Sequence, residues 1–248
     1  MTDLAIEVKN LVKIYKNAVV PAVNNISFEI PTGTIFGLLG PNGAGKTTTI
    51  SILCGLVKPS GGDVTLSGYS LKNKLYKIKR IVGVVPQEIA LYPTLTAYEN
   101  LRYIGNMYGL RGENLRKRIR ENLEIVGLSS HSDHPVETFS GGMKRRINLV
   151  AGILHQPKIL FLDEPTVGVD VQSRNLITEH LHQLNKEGCT IVYTSHLMEE
   201  AEHLCSAIAI IDHGQIITMG EPKALIKEYA TENLEQLFLK LTGKKLRD

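Results

Sequence analysis

At 248 residues, 43% of them hydrophobic and 21% charged, the chain is long enough for one or two domains and too apolar for a disordered one. Its 28 Lys and Arg against 25 Asp and Glu leave a formal charge of +3, without the basic stripe of a dedicated nucleic-acid binder, so no nucleic-acid partner is expected. Cys54, Cys189 and Cys205 form no Cys-x-x-Cys pair; they suggest neither a zinc site nor a disulfide framework and read as buried or semi-buried thiols in a reducing compartment.

Along the chain, Leu4 to Val8 reads as a first strand. Met1 to Asn10, carrying Asp3 and Glu7 and no long apolar run, does not read as a signal peptide. Ile26, Phe28 and Ile30 alternate with Ser27 and Glu29, the period of a half-buried strand. Thr34 to Leu39 is a short apolar strand, Gly40 to Gly45 a loop, and Lys46 to Leu56 a helix. A turn at Pro59-Ser60-Gly61-Gly62 leads to an antiparallel strand over Val64 to Leu66, and a further apolar strand, Ile81 to Val85, stops at Pro86. From about 88 to 155 strand patterns vanish and helical ones take over, at Ala97 to Tyr108, Asn114 to Val126 and Gly142 to Leu154. This stretch reads as a helical subdomain inserted into an α/β core. Alternation then resumes: strand Lys158 to Leu162, helix Val171 to Lys186, strand Thr190 to Thr194, helix Leu197 to Leu204, strand Ala207 to Ile211. Such alternation predicts crossover units on a mainly parallel sheet. His213-Gly214-Gln215 is a hairpin turn, and residues 222 to 248 read as helical with a basic tail from Lys240 to Arg247. With no run of about 18 apolar residues, no transmembrane helix is expected.

Gly40-Pro41-Asn42-Gly43-Ala44-Gly45-Lys46-Thr47 fits the pattern G-x-x-x-x-G-K-[ST] at every defined position, between a strand and a helix. A triphosphate needs many donors converging on a small volume. Glycines let the backbone curl until successive N–H groups point inward, and the following helix adds its unpaired N–H groups and positive dipole end. Lys46 is placed to reach the β- and γ-phosphates, and the Thr47 hydroxyl to ligate Mg²⁺. Downstream, Ile159 to Leu162 is an apolar strand ending in Asp163 and Glu164. Carboxylates at the carboxyl end of a parallel strand face the ligand crevice. Asp163 is the candidate Mg²⁺ ligand and Glu164 the candidate general base for the attacking water.

Phe139-Ser140-Gly141-Gly142-Met143 opens a helix just upstream of that strand, with Lys144, Arg145 and Arg146 following. Taken alone it is a Ser-capped helix start with bare backbone N–H groups. In this position it resembles the signature motif of ABC ATPases, commonly Leu-Ser-Gly-Gly-Gln; Phe139 stands for the leucine and Met143 for the glutamine. Four further positions carry the resemblance. Tyr15 matches the aromatic that stacks on adenine, and Gln87 the glutamine that senses Mg²⁺ and leads to the transmembrane contact. Val169-Asp170 matches the loop that crosses a dimer interface, where a leucine is commoner than Val169; His196 matches the switch histidine at the γ-phosphate. Local alternatives exist for each: a surface or core tyrosine, a polar loop residue, a helix cap made by Asp170, and a neighbour of a capping Ser195.

The resemblance spans residues 4 to 230. It implies a P-loop nucleoside triphosphatase fold, mainly parallel with an antiparallel β subdomain and the helical insertion at about 88–155. It implies ATP and Mg²⁺ as ligands, with Thr47, Gln87 and Asp163 at the metal. It also implies a head-to-tail dimer in which Gly40 to Thr48 of one copy and Ser140 to Gly142 of the other sandwich each ATP. A separate integral-membrane permease subunit would be moved by this dimer from the cytoplasmic face. The stretch Thr94 to Leu101 and the tail from Asn233 to Asp248 are similar to the drug, sodium and polysaccharide exporter branch, which favours export over import. Residues 231–248 are expected to be a C-terminal helical tail to an ATPase domain at 1–230. A non-transport ABC ATPase and a nucleotide-binding module without turnover are the alternatives. The first usually carries two ATPase halves or a long coiled coil, absent here between Thr47 and Ser140; the second is disfavoured by intact Glu164 and His196.

Overall fold

Strand β1 (Leu4–Lys13) is twice as long as the sequence predicts, because it continues past a bulge where Asn10 takes φ 48°. The computed structural model describes residues 3–243. β2 (Val23–Pro31) pairs antiparallel with β1 and buries Ile26, Phe28 and Ile30, as alternation requires. β3 (Ile35–Leu39) is buried at every position, and α1 (Lys46–Leu53) follows the glycine loop. That helix ends three residues earlier than expected, since Gly55 takes φ +71° and turns the chain. β4 (Gly61–Leu66) and the two-residue β5 (Tyr69–Ser70) complete a four-stranded antiparallel sheet in the order β2-β1-β4-β5. Helix α2 (Leu75–Ile81) is not foreseen: it buries only Ile78 and presents lysines and arginine around it, so no apolar stripe marks it. It runs directly into β6 (Val82–Val85).

Three helices then form their own layer: α3 (Ala97–Met107), α4 (Gly112–Ile125) and α5 (Gly141–Ile153). Thr96 starts α3 with a capping box, its hydroxyl accepting from Glu99 N–H while the Glu99 carboxylate accepts from Thr96 N–H. Leu101, Leu115, Ile119, Leu123, Ile147 and Val150 share one apolar core in this layer.

Beyond it the chain alternates: β7 (Ile159–Asp163), α6 (Val171–Lys186), β8 (Thr190–Ser195), α7 (Met198–Leu204), β9 (Ala207–Asp212) and β10 (Gln215–Gly220). The second sheet runs β10-β9-β3-β8-β7-β6, with β6, β7, β8, β3 and β9 parallel and β10 antiparallel at the edge. Its central strands are continuous apolar runs because helices and the first sheet cover both faces. Residues 222–243 carry two helices, α8 (Pro222–Glu228) and α9 (Leu234–Thr242). Leu234, Leu237 and Phe238 of α9 are fully buried with α7 and α8 in the core beneath the parallel sheet. The end of the predicted basic tail, 244–248, lies outside the described residues. Among the described residues, no helix is long and apolar enough to cross a membrane.

Candidate active site

The parallel strands β3, β7 and β8 end side by side, Asp163 in register with Thr194 and Leu39 with Ser195. Everything that follows these ends therefore meets in one crevice. After β3, the loop from Gly40 bends tightly into α1. Gly45 takes φ +105°, and a Cβ on Gly40 would stand 2.2 Å from the Ile211 carbonyl oxygen, so no larger residue fits there. Lys46 folds back over this loop. Its ammonium donates to the carbonyls of Gly40 (2.8 Å) and Pro41 (3.1 Å), and the residue is 6% exposed. Burial lowers the Lys46 pKa, while the negative charges of Glu164 and Asp163 work against that loss. Asn42, Gly43, Ala44, Gly45, Lys46, Thr47 and Thr48 line a depression of about 180 Å³ whose far side is Gln87 and Glu164.

After β7, the chain turns sharply. Asp163 and Glu164 are both 7% exposed. Glu164 takes φ 50°, a left-handed conformation that costs an ordinary residue about 1–2 kcal/mol. Thr194 holds the turn: its hydroxyl donates to Asp163 Oδ1 at 2.6 Å, and its hydroxyl and carbonyl oxygens accept from Glu164 N–H at 3.1 and 3.2 Å. The two Glu164 oxygens are engaged separately. Gln87 Nε2 donates to Oε2 at 3.2 Å, and His196 Nδ1 lies 3.2 Å from Oε1. Tyr15, exposed beside the loop, has its hydroxyl 3.4 Å from Thr48 Oγ1, and Lys13 Nζ sits 5.0 Å from its ring centroid.

Thus the glycine loop, Gln87 and Glu164 share this depression, and Tyr15 joins it through Thr48, Asp163 through Thr194 and His196 through Glu164. Ser140, Gly141, Gly142 and Asp170 do not line this depression. They form a second patch at the start of α5 and α6. Ser140 is exposed and caps α5, accepting from Met143 N–H at 3.3 Å. Asp170 caps α6, its carboxylate accepting from the N–H and hydroxyl of Ser173, each at 2.9 Å. That capping lowers the pKa of the Asp170 carboxylate. Gly142 packs against this same pair, so the two motifs touch within one chain.

Sequence reasoning misses three residues that shape the site. Thr194 braces both carboxylates. Arg145 donates to the Gln87 carbonyl. Asn148, 2% exposed, donates to the Pro86 carbonyl at 3.2 Å and accepts from Ala90 N–H at 3.1 Å. A polar residue inside the apolar face of α5 is the one signal that marks Asn148 in the sequence.

Geometrically, a cradle of backbone N–H groups and an ammonium faces a carboxylate that accepts from an amide and lies beside an imidazole. Such a site suits transfer of a phosphoryl group to water. The model of the family described as ABC transporter matches residues 23–167. The linearmycin resistance ATP-binding protein LnrL of Bacillus subtilis is 50% identical over 232 residues, 94% of this chain and 74% of that protein. The Nod factor export ATP-binding protein I of Cupriavidus metallidurans is 42% identical over 221 residues, 89% of this chain and 72% of that one. Among solved structures, an ATP-binding subunit of an ABC transporter superposes with a TM-score of 0.88 at 28% identity, covering 96% of this chain and 99% of its own. A dimeric ATP-binding cassette in a post-hydrolysis state, bound to ADP and Pi, gives 0.80 at 29%, covering 87% and 98%.

Proposed function

Because the chain belongs to the ABC transporter ATP-binding family, we propose that its ATP hydrolysis drives export through a separate integral-membrane permease subunit on whose cytoplasmic side it sits. Export is favoured by relatives named for linearmycin resistance and for Nod factor export. The observation that carries the hydrolytic reading is Glu164 at the edge of the phosphate cradle, one oxygen accepting from Gln87 and the other 3.2 Å from His196 Nδ1.

In this reading Gly40 to Thr48 and Lys46 bind the phosphates, Tyr15 stacks on the base, Glu164 orients and deprotonates water, and His196 stabilises charge on the transferred group. Thr47, Gln87 and Asp163 would hold Mg²⁺. They offer hard oxygen donors with a single carboxylate, the pattern of a cation bound chiefly through phosphates, and the described residues hold no separate cage of three or more acidic, His or Cys ligands. When bound, Mg²⁺ neutralises charge on the phosphate oxygens. Ser140 and Gly141, both exposed, with Gly142 packed against Asp170 and Ser173, would close over ATP held by a second copy, and Asp170 would stand at that junction. We take residues 1–230 as the ATPase domain, with the helical layer at about 88–155 as the face toward the permease near Thr94 to Leu101.

A steady-state ATPase assay tests the site. Glu164→Gln should lower turnover about a hundredfold or more while nucleotide still binds. Unchanged turnover would remove Glu164 from the chemistry, and an unmodified chain that binds ATP without hydrolysing it would favour a regulatory module.

A further inference from the structure

Behind the crevice lies a carboxylate that the reaction itself does not use. Glu200 stands in the first turn of α7, four residues after His196. Its side chain is 14% exposed. Oε2 accepts from the Thr166 hydroxyl at 2.7 Å and from the Tyr193 hydroxyl; Oε1 lies 3.0 Å from Arg174 Nε.

Each partner belongs to a different segment of the site. Thr166, 2% exposed, follows Glu164 by two residues in a loop of successive turns, Val167 N–H to Glu164 carbonyl and Val169 N–H to Thr166 carbonyl, both at 3.4 Å. Arg174 is one turn into the helix capped by Asp170, its N–H donating to the Asp170 carbonyl at 3.0 Å. Tyr193 is 1% exposed and precedes Thr194, the brace of both carboxylates. Burial, with the charge of Glu200 second, pushes the Tyr193 phenol well above its ordinary pKa, so it stays a donor.

We propose that Glu200 is a positioning residue for ATP hydrolysis, whose carboxylate keeps in register the three segments that present Glu164, Asp170 and His196. The inference rests on the hydrolytic reading of Glu164 and His196. Its physical ground is the shape of the loop from Glu164 to Asp170. No sheet ladder holds that loop, and it begins in a left-handed residue. Side-chain anchors fix it instead: Thr194 at one end, Asp170 capping α6 at the other, and Thr166 on Glu200 between them. Two hydroxyl donors on one carboxylate oxygen make charge-assisted bonds, shorter and stronger than neutral ones, and the Arg174 guanidinium adds an ion pair at the other oxygen. A shift of Glu164 by a fraction of an ångström is enough to misplace the attacking water.

The test compares kcat, KM for ATP and thermal midpoint in the full chain. Thr166→Val keeps the shape and removes the hydroxyl; Thr166→Ser keeps the hydroxyl. Glu200→Gln keeps an acceptor for the two hydroxyls and turns an NH₂ toward Arg174. Thr166→Val and Glu200→Gln should each lower kcat about tenfold or more, with KM within about twofold and the thermal midpoint little changed. Thr166→Ser should restore turnover, and the double variant should lose less than the two single losses multiplied together, because both disturb the network around one carboxylate. Glu199→Gln, on the exposed neighbouring carboxylate, should leave kcat unchanged. Wild-type kcat in Thr166→Val and Glu200→Gln, or a loss of kcat that merely follows a fall in thermal midpoint, would overturn the proposal. Glu164→Gln in the same assay separates the two claims. If it is inactive while the Glu200 and Thr166 variants work normally, only the positioning role fails; if it hydrolyses ATP at the wild-type rate, the site reading and this inference fall together.

Discussion

His155 shows how a single residue away from the crevice joins two layers. Its Nε2 donates to the Val82 carbonyl of β6 at 3.0 Å, and its ring stacks on Tyr108, which caps the end of α3, with centroids 3.6 Å apart and planes 9° from parallel. Burial pushes its pKa down to about 4, with the Val82 carbonyl resisting and Arg118 adding to the fall. A base depressed on folding is neutral in the folded chain while the unfolded chain takes up a proton near its ordinary pKa of about 6.5. Its contribution to stability is therefore whole above about pH 6.5 and is lost as pH falls toward 4, amounting to about 2–3 kcal/mol. Urea unfolding at pH 7 and pH 4.5 should show this loss, and His155→Phe, which keeps the stack, should show a shallower decline. Equal pH slopes in the two proteins would contradict it. At this scale the sequence reveals those site residues that sit in motifs, Lys46, Glu164 and His196 among them. Thr194, Arg145 and Asn148 stay hidden because a strand threonine, a helical arginine and a helical asparagine carry no signal until register and packing bring them to a carboxylate or a loop carbonyl.

At the scale of elements, caps explain where the two motif helices begin. Ser140 and Asp170 each accept from the N–H three residues on, satisfying a donor that the helix leaves open. The starts of α5 and α6 are packed together at Gly142, where a Cβ would stand 2.5 Å from Ser173 Oγ and 2.8 Å from Asp170 Oδ2; at Gly141 the nearest neighbour is 3.8 Å away. Gly142→Ala should therefore destabilise the fold by about 1–3 kcal/mol through overpacking. Gly141→Ala should be neutral or stabilising by up to about 1 kcal/mol, since it relieves a glycine in a helix. Chemical denaturation measures both, and equal effects would refute the contact. Elements with a clear apolar period, such as β2, α4 and α6, are legible in sequence. The ones that are not, α2 and β5, are short and barely buried. The reach of β1 to Lys13 was hidden by a bulge that breaks its alternation.

For the whole molecule, the order of strands could be expected only as far as alternation predicts a parallel sheet; that β3 lies between β8 and β9 comes from crossovers that no local pattern encodes. The same topology leaves the chain with two separate motif patches. Cradle, carboxylates and imidazole stand at the ends of β3, β7 and β8, while Ser140 at the start of its helix is exposed and does not line the depression. The head-to-tail pair proposed above would bring the two onto one ATP, and hydrolysis would then act as its release. The most direct measurement is the solution mass of the Glu164→Gln chain by light scattering, with and without ATP. A mass that doubles only when ATP is present is the predicted result. A monomer at saturating ATP, with nucleotide binding verified in the same sample, would contradict the account.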